Sequence, residues 1–409
     1  TLRQDALDRG SEATPHFERS ATAGVRFTQA RSASSWTWPS TASLFTGLYP
    51  NSHGVHDNAR CYLVEGLDTM GEIFSLNGYT TAAFLANVLI STENNFHQGF
   101  ETFANLANLS ARALNERVAH WLDNTDGTTR FLYLHYFDPH TPYRAPDDHN
   151  ADAEMVIEQE IVERLASQRE ADMVDPALIE EWMDLLRRRY DREVAYLDKA
   201  FGELMTLLED HGILENALLV VTSDHGEEFY EHGKLSHGPH LYDETVRVPL
   251  WITGYGKAAL PPKTIHIPAE NKNVLPTLLQ ILDMTHPPHP SWGFSLLNPR
   301  QEPTFLQTWH GTEPGSAGWI ERLALVGAEH KFIYTPSLDR QELFDLSEDP
   351  FEQVNRASHD SEITDKMAKA LAAWNQQTLS EAPGVTLGEN AEVQAWMAEL
   401  GYVGGEGGN

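Results

Sequence analysis

Two residues with metal-binding side chains stand side by side in the second half of the chain. Asp224 and His225 come shortly after the four apolar residues 218–221 and directly before Gly226. A short apolar run is typical of a fully buried strand, so the sequence predicts this pair at a strand's carboxyl end. A carboxylate and an imidazole placed together suit a divalent cation, especially manganese or zinc. The alternative interpretation is that the pair only caps a turn.

A hydroxyl at a predicted helix start is the second candidate. Pro39 suits the first position of a helix, and Gly47 suits its end. Thr37 would then lie just ahead of the helix, where unpaired N–H groups and the helix dipole favour a bound anion. The alternative is an N-cap threonine on an ordinary helix.

His140 lies in a proline-rich segment after the predicted strand 131–137. Pro139 and Pro142 flank it and force a loop. Because α/β sheets place ligand-binding groups at the carboxyl ends of their strands, we expect His140 to bind a ligand. A solvated loop histidine is the alternative.

Four segments of the chain together form a recognisable pattern. Residues 39–54 contain Pro-Ser, Thr-Gly-x-x-Pro and His-Gly, and residues 140–143 are His-x-Pro-Tyr. Residues 222–233 are Thr-Ser-Asp-His-Gly-Glu-Glu-Phe-x-Glu-His-Gly, and residues 342–355 contain Glu-Leu-Phe-Asp-Leu-x-x-Asp-Pro. This pattern resembles the sulfatases of the alkaline phosphatase superfamily. The last segment is similar to their small C-terminal subdomain, so the resemblance covers nearly the whole chain.

The resemblance implies a role for each candidate residue. It implies a nucleophile at position 37 and one divalent cation (manganese, zinc, calcium or magnesium) held by Thr37, Asp224 and His225. It also implies two substrate-facing histidines, His140 on the charged oxygens and His237 on an oxyanion or the leaving group. Lys234 is a weaker candidate for contact with the substrate's charge.

Several positions depart from the family pattern. Thr37 stands where sulfatases have the cysteine or serine that becomes formylglycine, and Thr41 replaces their arginine. A Thr-x-Pro nucleophile is instead similar to the nucleotide pyrophosphatase and phosphodiesterase branch of the superfamily. Ala86 and Val88 occupy the positions of the sulfate-holding lysine and histidine. Asn87 lies between them. It either binds an oxyanion or forms a turn, and the sequence favours neither interpretation over the other.

Residues 1–5, Thr-Leu-Arg-Gln-Asp, resemble the end of the family segment Asp-Thr-Leu-Arg-x-Asp. In the family the leading aspartate closes the first core strand and binds the metal. The resemblance therefore predicts that this strand and one ligand lie upstream of Thr1.

The composition fits a globular protein, with 41% apolar and 10% aromatic residues among 409. A formal net charge of −31 argues against a nucleic-acid partner, because no basic face is available for phosphates. No run of 18 apolar residues occurs, so we expect no membrane span in this chain. The expected partner is a small-molecule or glycan ester. The sequence leaves the oligomeric state open, and also whether the protein is periplasmic, secreted or cytoplasmic.

Buried strands alternate with amphipathic helices up to about residue 300, which predicts an α/β fold. The resemblance implies the alkaline-phosphatase-like three-layer sandwich, with a catalytic domain at 1–300 and a small α+β C-terminal subdomain at 301–409. Residues 150–189 are highly charged, and we interpret them as surface helices that form a solvated cover.

The preferred function is a metal-dependent hydrolase that cleaves sulfate or phosphate esters through Thr37. Phosphate is favoured because threonine cannot provide the aldehyde chemistry by which formylglycine releases sulfate. One alternative is a transferase of phosphoethanolamine or glycerophosphate. The other is a non-catalytic binding protein, against which the retained set of Thr37, His140, His237 and the 224–225 pair argues.

Overall fold

The structure is a computed structural model, which describes residues 1–9, 12–56, 62–107, 109–125, 129–146, 157–161, 164–165, 174–287, 289, 292–310 and 319–379. In this part of the chain the helices are α1 (Gln4–Arg9), α2 (Pro15–Thr22), α3 (Thr37–Thr46), α4 (Pro50–His53), α5 (Met70–Leu76), α6 (Ala111–Asp123), α7 (Pro176–Asp210), α8 (Asp243–Val246), α9 (Val274–Ile281) and α10 (Ser361–Leu379).

The strands of the same part are β1 (Val25–Phe27), β2 (Ala30–Arg31), β3 (Thr80–Leu85), β4 (Thr102–Asn105), β5 (Arg130–His135), β6 (Asn216–Thr222), β7 (Glu228–Phe229), β8 (Leu235–Ser236), β9 (Leu250–Gly256), β10 (Lys263–Ile265), β11 (Ala269–Glu270), β12 (Thr304–Trp309), β13 (Glu321–Val326), β14 (His330–Thr335) and β15 (Arg340–Asp345).

Two sheets form the centre of the fold. One has the order β10-β1-β9-β6, in which β1 and β10 are parallel and the other pairs antiparallel. The other has the order β4-β3-β5 and is fully parallel, with Leu85 opposite His135. Helices α3, α5 and α9 contribute to the largest apolar core beside these strands. The prediction of a mixed α/β fold is confirmed.

The strand that precedes Asp224 is less buried than its sequence predicted. Leu218 to Val221 were expected to be fully buried, but every residue from Ala217 to Thr222 is only half-buried. The residues of β5 are half-buried as well. The reason is pairing: among the described strands, β6 pairs only with β9 and β5 only with β3, so each has one edge without a partner strand.

Helix α3 begins at Thr37, two residues before Pro39, the predicted first position. The N-cap is Trp36, which makes no side-chain cap, so the interpretation of Thr37 as an N-cap threonine is wrong. All ten residues of α3 are buried, and the helix ends where Gly47 adopts φ 71° and donates its N–H to the Ser43 carbonyl. A left-handed residue is the usual end of a helix, so the glycine prediction is confirmed.

The charged region 150–189 is not only a solvated cover, although much of it lies outside the described residues. Helix α7 begins at Pro176 and buries Arg189. The Arg189 guanidinium lies 3.2 Å from Glu158 and donates to the Tyr143 carbonyl. Because a buried charge is stable only when it is paired, these contacts fix the loop that carries His140.

Beyond residue 300 the strands β12 to β15 form an antiparallel sheet, and α10 packs against it. This sheet contacts the rest of the fold directly, since Gln307 N–H donates to the Ala33 carbonyl. The Gly238 carbonyl accepts hydrogen bonds from both Ser35 and Thr308, each at 2.9 Å. The C-terminal sheet therefore helps to hold the segments on either side of Thr37 and His237.

Candidate active site

Thr37 lies at the N-terminus of α3 and is fully buried. Its Oγ1 lies 3.3 Å from Nε2 of His225, which joins segments 188 residues apart. The first N–H groups of a helix have no intrahelical acceptor, so this hydroxyl stands at the positive end of the helix dipole. The structure thus brings the predicted nucleophile to one of the predicted metal ligands.

Asp224 and His225 follow β6, as the sequence predicted. His225 Nδ1 lies 2.9 Å from the Gly226 carbonyl, and because a carbonyl only accepts, Nδ1 carries the proton. The lone pair of Nε2 then faces Thr37 Oγ1, and Asp224 Oδ2 lies 3.3 Å from the same nitrogen. Two oxygens at this distance from an imidazole nitrogen fit a cation with ligands at roughly 2.1–2.3 Å, since adjacent ligands then lie roughly 3 Å apart.

His237 and His140 lie beside this group. The His237 ring centroid is 4.0 Å from that of His225 and 5.1 Å from that of His140. Both are buried, and the His140 ring stacks on Phe137 at 4.3 Å. The loop predicted from Pro139 and Pro142 therefore places His140 beside His237, and its contact with a substrate stays a prediction.

Glu227 was missed by the sequence analysis. It is fully buried, and its Oε1 lies 2.9 Å from His237 Nδ1. Its Oε2 accepts a hydrogen bond of 3.0 Å from the Tyr143 hydroxyl. The available signal was an acidic residue placed two positions after the ligand pair, but the adjacent Glu228 carries the same signal.

His135, the last residue of β5, was also missed. Its Nε2 lies 4.0 Å from Asp224 Oδ2, and its Nδ1 lies 3.1 Å from the Tyr133 hydroxyl. The signal was its place at the end of the strand that leads into the His140 loop, because the ends of β5 and β6 meet at the same edge.

The two predicted substrate-binding residues make local contacts. Asn87 Oδ1 accepts a hydrogen bond from Leu89 N–H, which is the turn that the sequence offered as one alternative. Lys234 lies between β7 and β8, where its backbone N–H donates to Glu228. In the described part of the chain its side chain forms no ion pair. A contact between either residue and a substrate stays a prediction.

The backbone nitrogen of Thr1 lies 3.2 Å from Asp224 Oδ1 and 3.2 Å from Ser223 Oγ. The Thr1 carbonyl accepts a hydrogen bond from the Tyr190 hydroxyl on α7. The first residue of the chain is therefore held at the carboxyl end of β6, beside the predicted metal ligands.

Burial controls the charge of the site histidines. It lowers the pKa of His225 and His237 well below the ordinary range, and it lowers the pKa of His140. Burial also raises the pKa of Glu227 to about 7. Each shift disfavours a charge in the buried site, and the neutral imidazole is the form in which His225 would bind a cation.

A second group with metal-binding side chains lies away from Thr37. Ligand atoms of Glu228, His232 and Glu244 all lie within 4.8 Å of one another. His232 Nδ1 is 2.6 Å from Glu244 Oε1, and its Nε2 is 3.0 Å from the Glu352 carbonyl. Since both acceptors require a proton on the ring, this group is a charged hydrogen-bond network that fits an imidazolium better than a metal.

A family model named Sulfatase matches residues 5–284 of the chain. The chain belongs to the sulfatase family. This confirms the resemblance to the sulfatases of the alkaline phosphatase superfamily, whose members generally depend on a divalent metal. In the described part of this sulfatase, no helix has the length and apolar composition that crossing a bilayer requires.

Two curated relatives illustrate the range of similarity. The choline-sulfatase of Rhizobium meliloti is 31% identical over 181 residues, which are 42% of this sulfatase and 33% of the relative. The ulvan-active sulfatase of Formosa agariphila is 26% identical over 305 residues, which are 67% and 58% of the two chains. The chain thus spans less than two thirds of either relative.

Solved structures show the same fold. A protein solved in complex with its substrate D-glucosamine-2-N,6-O-disulfate gives a TM-score of 0.72 at 20% identity, covering 93% of this sulfatase and 96% of that chain. The phosphonate monoester hydrolase of Agrobacterium radiobacter gives 0.72 at 18% identity, covering 93% and 94%. The predicted alkaline-phosphatase-like fold is therefore confirmed.

Proposed function

We propose that this sulfatase-family chain is a metal-dependent hydrolase of sulfate or phosphate esters with Thr37 as its nucleophile. The observation that carries the proposal is the 3.3 Å approach of Thr37 Oγ1 to His225 Nε2 at the start of α3. A hydroxyl is a weak nucleophile unless its proton is removed or its negative charge is stabilised, and both the helix end and a cation at this place favour the charged form. The choline and ulvan sulfatases among the relatives support an ester of a small alcohol or a glycan as the substrate.

Each site residue has its own role in the proposed reaction. Thr37 Oγ1 attacks the phosphorus or sulfur in line with the ester oxygen, and the α3 N-terminus favours the negative charge that gathers there. Thr37, Asp224 and His225 would hold the cation, which would supply Lewis-acid stabilisation. His140 stabilises the charge on the ester oxygens. His237 gives a proton to the leaving oxygen, and water then cleaves the ester formed on Thr37.

The division of the chain into a catalytic domain at 1–300 and a C-terminal subdomain at 301–409 stays part of the proposal.

A panel of substrates and cations tests the function. Aryl sulfates, phosphate monoesters and phosphate diesters are assayed after chelation and again with manganese, zinc, calcium or magnesium. We expect hydrolysis of at least one ester class that depends on an added cation. Mass spectrometry of the quenched reaction should find the transferred group on the peptide that contains Thr37. Turnover that persists with chelator present, or an adduct on another residue, would contradict the proposal.

A further inference from the structure

His225, His140 and His237 of the candidate site differ in what holds their Nδ1 atoms. His225 Nδ1 lies 2.9 Å from the Gly226 carbonyl, and His140 Nδ1 lies 2.6 Å from the Thr141 carbonyl. His237 Nδ1 lies 2.9 Å from a carboxylate oxygen of Glu227, with Ser236 Oγ farther away at 3.3 Å. A carbonyl fixes the tautomer of an imidazole, whereas a carboxylate also stabilises the imidazolium.

Glu227 has partners on three segments of the chain. Its Oε2 accepts a hydrogen bond from the Tyr143 hydroxyl at 3.0 Å, and its carbonyl accepts one from Arg3 at 2.9 Å. Tyr143 follows His140 in the same loop, three residues later. One carboxylate therefore contacts the ring of one site histidine and the loop that carries the other.

We propose that Glu227 is a positioning residue that holds His237 with Nδ1 protonated and ties it, through Tyr143, to the His140 loop. This inference rests on the proposed function, in which His237 serves the leaving oxygen. The step starts from the His237 imidazolium, whose charge the Glu227 carboxylate stabilises against burial. As the ester bond breaks, its electron pair passes to the leaving oxygen, which takes the proton from His237 Nε2. The ring is left neutral and keeps its Nδ1 proton on Glu227. Loss of the Glu227 carboxylate should therefore slow cleavage most for esters whose leaving oxygen most needs a proton.

Glu228 is a matched control for this role. It is the next residue, it is as buried as Glu227, and its Oε2 lies 2.7 Å from the Nδ1 of another histidine, His240. Its other oxygen accepts the backbone N–H groups of His232 and Lys234. Glu227→Gln and Glu228→Gln thus remove the same charge from neighbouring buried positions, but only the first touches the ring of His237.

The test compares two esters of the same acid, one with a 4-nitrophenyl and one with an alkyl leaving group. We expect Glu227→Gln to lower kcat about 100-fold on the alkyl ester and less than about 10-fold on the 4-nitrophenyl ester, which needs little proton transfer. Glu227→Asp should recover part of the loss on the alkyl ester. Glu228→Gln should lower both rates by the same small factor. Tyr143→Phe, which leaves the carboxylate in place, should show the same leaving-group dependence to a smaller degree.

A second readout does not depend on activity. In protein labelled with ¹⁵N-histidine, the signals missing from His237→Asn identify the His237 ring, and its Nδ1 should carry the proton. We expect these signals to move in Glu227→Gln and to stay in place in Glu228→Gln. Equal rate losses on both esters, or unmoved His237 signals in Glu227→Gln, would overturn the positioning role. A wild-type chain that hydrolyses no ester with any cation would instead overturn the proposed function, and the ring signals would still decide the role of Glu227.

Discussion

Two neighbouring glutamates serve two different parts of the molecule. The active-site network (Glu227, His237 and Tyr143) links three segments around Thr37 by side-chain contacts. The interface network (Glu228, His232, His240 and Glu244) orders the 228–244 segment, and His232 Nε2 ties it to the Glu352 carbonyl that follows the C-terminal sheet. Both glutamates are buried, and each accepts a hydrogen bond from a histidine Nδ1.

The difference lies in the remaining partners. Glu228 binds two backbone N–H groups of the turn that follows it, so its carboxylate stabilises a local structure. Glu227 uses its second oxygen on Tyr143, which belongs to another loop of the candidate site. A glutamate–histidine pair is therefore insufficient evidence of catalysis. The partner of the second carboxylate oxygen distinguishes a glutamate that stabilises the fold from one that positions a catalytic group.

The comparison predicts that changes near the active-site network affect turnover more than stability. The largest expected effect is that of Thr37→Ala, which should lower kcat at least about 10⁴-fold, because the attacking oxygen is removed. Thr37→Ser should retain part of the activity, since it keeps the hydroxyl and loses only the methyl group that restricts its rotamer. Steady-state rates of the three proteins, with urea unfolding as the control for stability, provide the measurement. Full activity in Thr37→Ala would exclude this residue as the nucleophile.

Changes near the interface network should do the reverse. Lys331 on β14 is fully buried, and its Nζ lies 2.9 Å from Asp243 and 2.8 Å from Glu352. Lys331→Met removes the positive charge that pairs with both buried carboxylates, so we expect a loss of about 3 kcal/mol in the free energy of unfolding. The kcat of the folded fraction should change less than about twofold, because the lysine does not touch the site.

A double variant checks that this loss comes from the unpaired charge. Adding Glu352→Gln to Lys331→Met should restore at least about 1 kcal/mol, because the two residues are in contact and their effects are not additive. Urea unfolding of the two single variants and the double variant measures the coupling. Strict additivity would show that Lys331 and Glu352 stabilise the fold independently.

His232 gives the interface network a dependence on pH. Burial alone would lower the pKa of His232, but the hydrogen bond and the charge of Glu244 raise it to about 9, with smaller contributions from the Glu352 carbonyl and Glu228. The folded value lies above the ordinary value of about 6.5, so the contribution to stability is complete below about pH 6.5 and is lost as pH rises through about 9.

Unfolding measured at pH 6 and pH 9.5 tests this dependence. Relative to His232→Gln, the wild-type protein should be more stable by about 1–2 kcal/mol at pH 6, a figure discounted for screening by solvent. The difference should shrink at pH 9.5. A constant difference at both pH values would mean that His232 contributes by its stacking on Tyr242, at 3.6 Å between centroids, and not by its charge.

The sequence predicted which side chains meet at the candidate site better than it predicted their surroundings. Thr37, Asp224 and His225 meet, because buried strands and a proline-started helix bring their ends to one edge of the fold. The sequence could not separate Glu227 from Glu228, since both are acidic and buried and only tertiary partners distinguish them. It also placed the helix start too late, because Trp36 caps α3 without a side-chain hydrogen bond and leaves no local signal.

Two further errors share a physical cause. A run of apolar residues indicates that a strand is buried, but it does not indicate how many of its edges are paired, and β6 is half-buried. The charged segment 150–189 was interpreted as a solvated cover, yet Arg189 and Glu158 are buried as a pair at 3.2 Å. Burial of such charges depends on partners that are distant in the sequence.

The last prediction concerns the acid part of the ester. We predict that phosphate is preferred over sulfate by at least about tenfold in kcat/KM, or roughly 1.4 kcal/mol in transition-state stabilisation. Threonine cannot release sulfate by the aldehyde route of the formylglycine sulfatases, so its sulfate ester must be cleaved by direct displacement at sulfur. Ala86 and Val88, at the sulfate-holding positions of the family, are buried and apolar.

Matched 4-nitrophenyl phosphate and sulfate share a leaving group, so they measure the preference with little contribution from proton transfer by His237. Glu228→Gln should leave the ratio of the two rates unchanged, because the interface network does not contact the ester. Glu227→Gln should also leave the ratio nearly unchanged, since the carboxylate acts on the leaving oxygen that both esters share. A faster rate on the sulfate, with no phosphate trapped on Thr37, would overturn the phosphate preference and leave the family assignment standing. A ratio that moved with Glu227 would instead place this carboxylate in contact with the acid part of the ester, and the active-site network would then have a broader role than positioning His237.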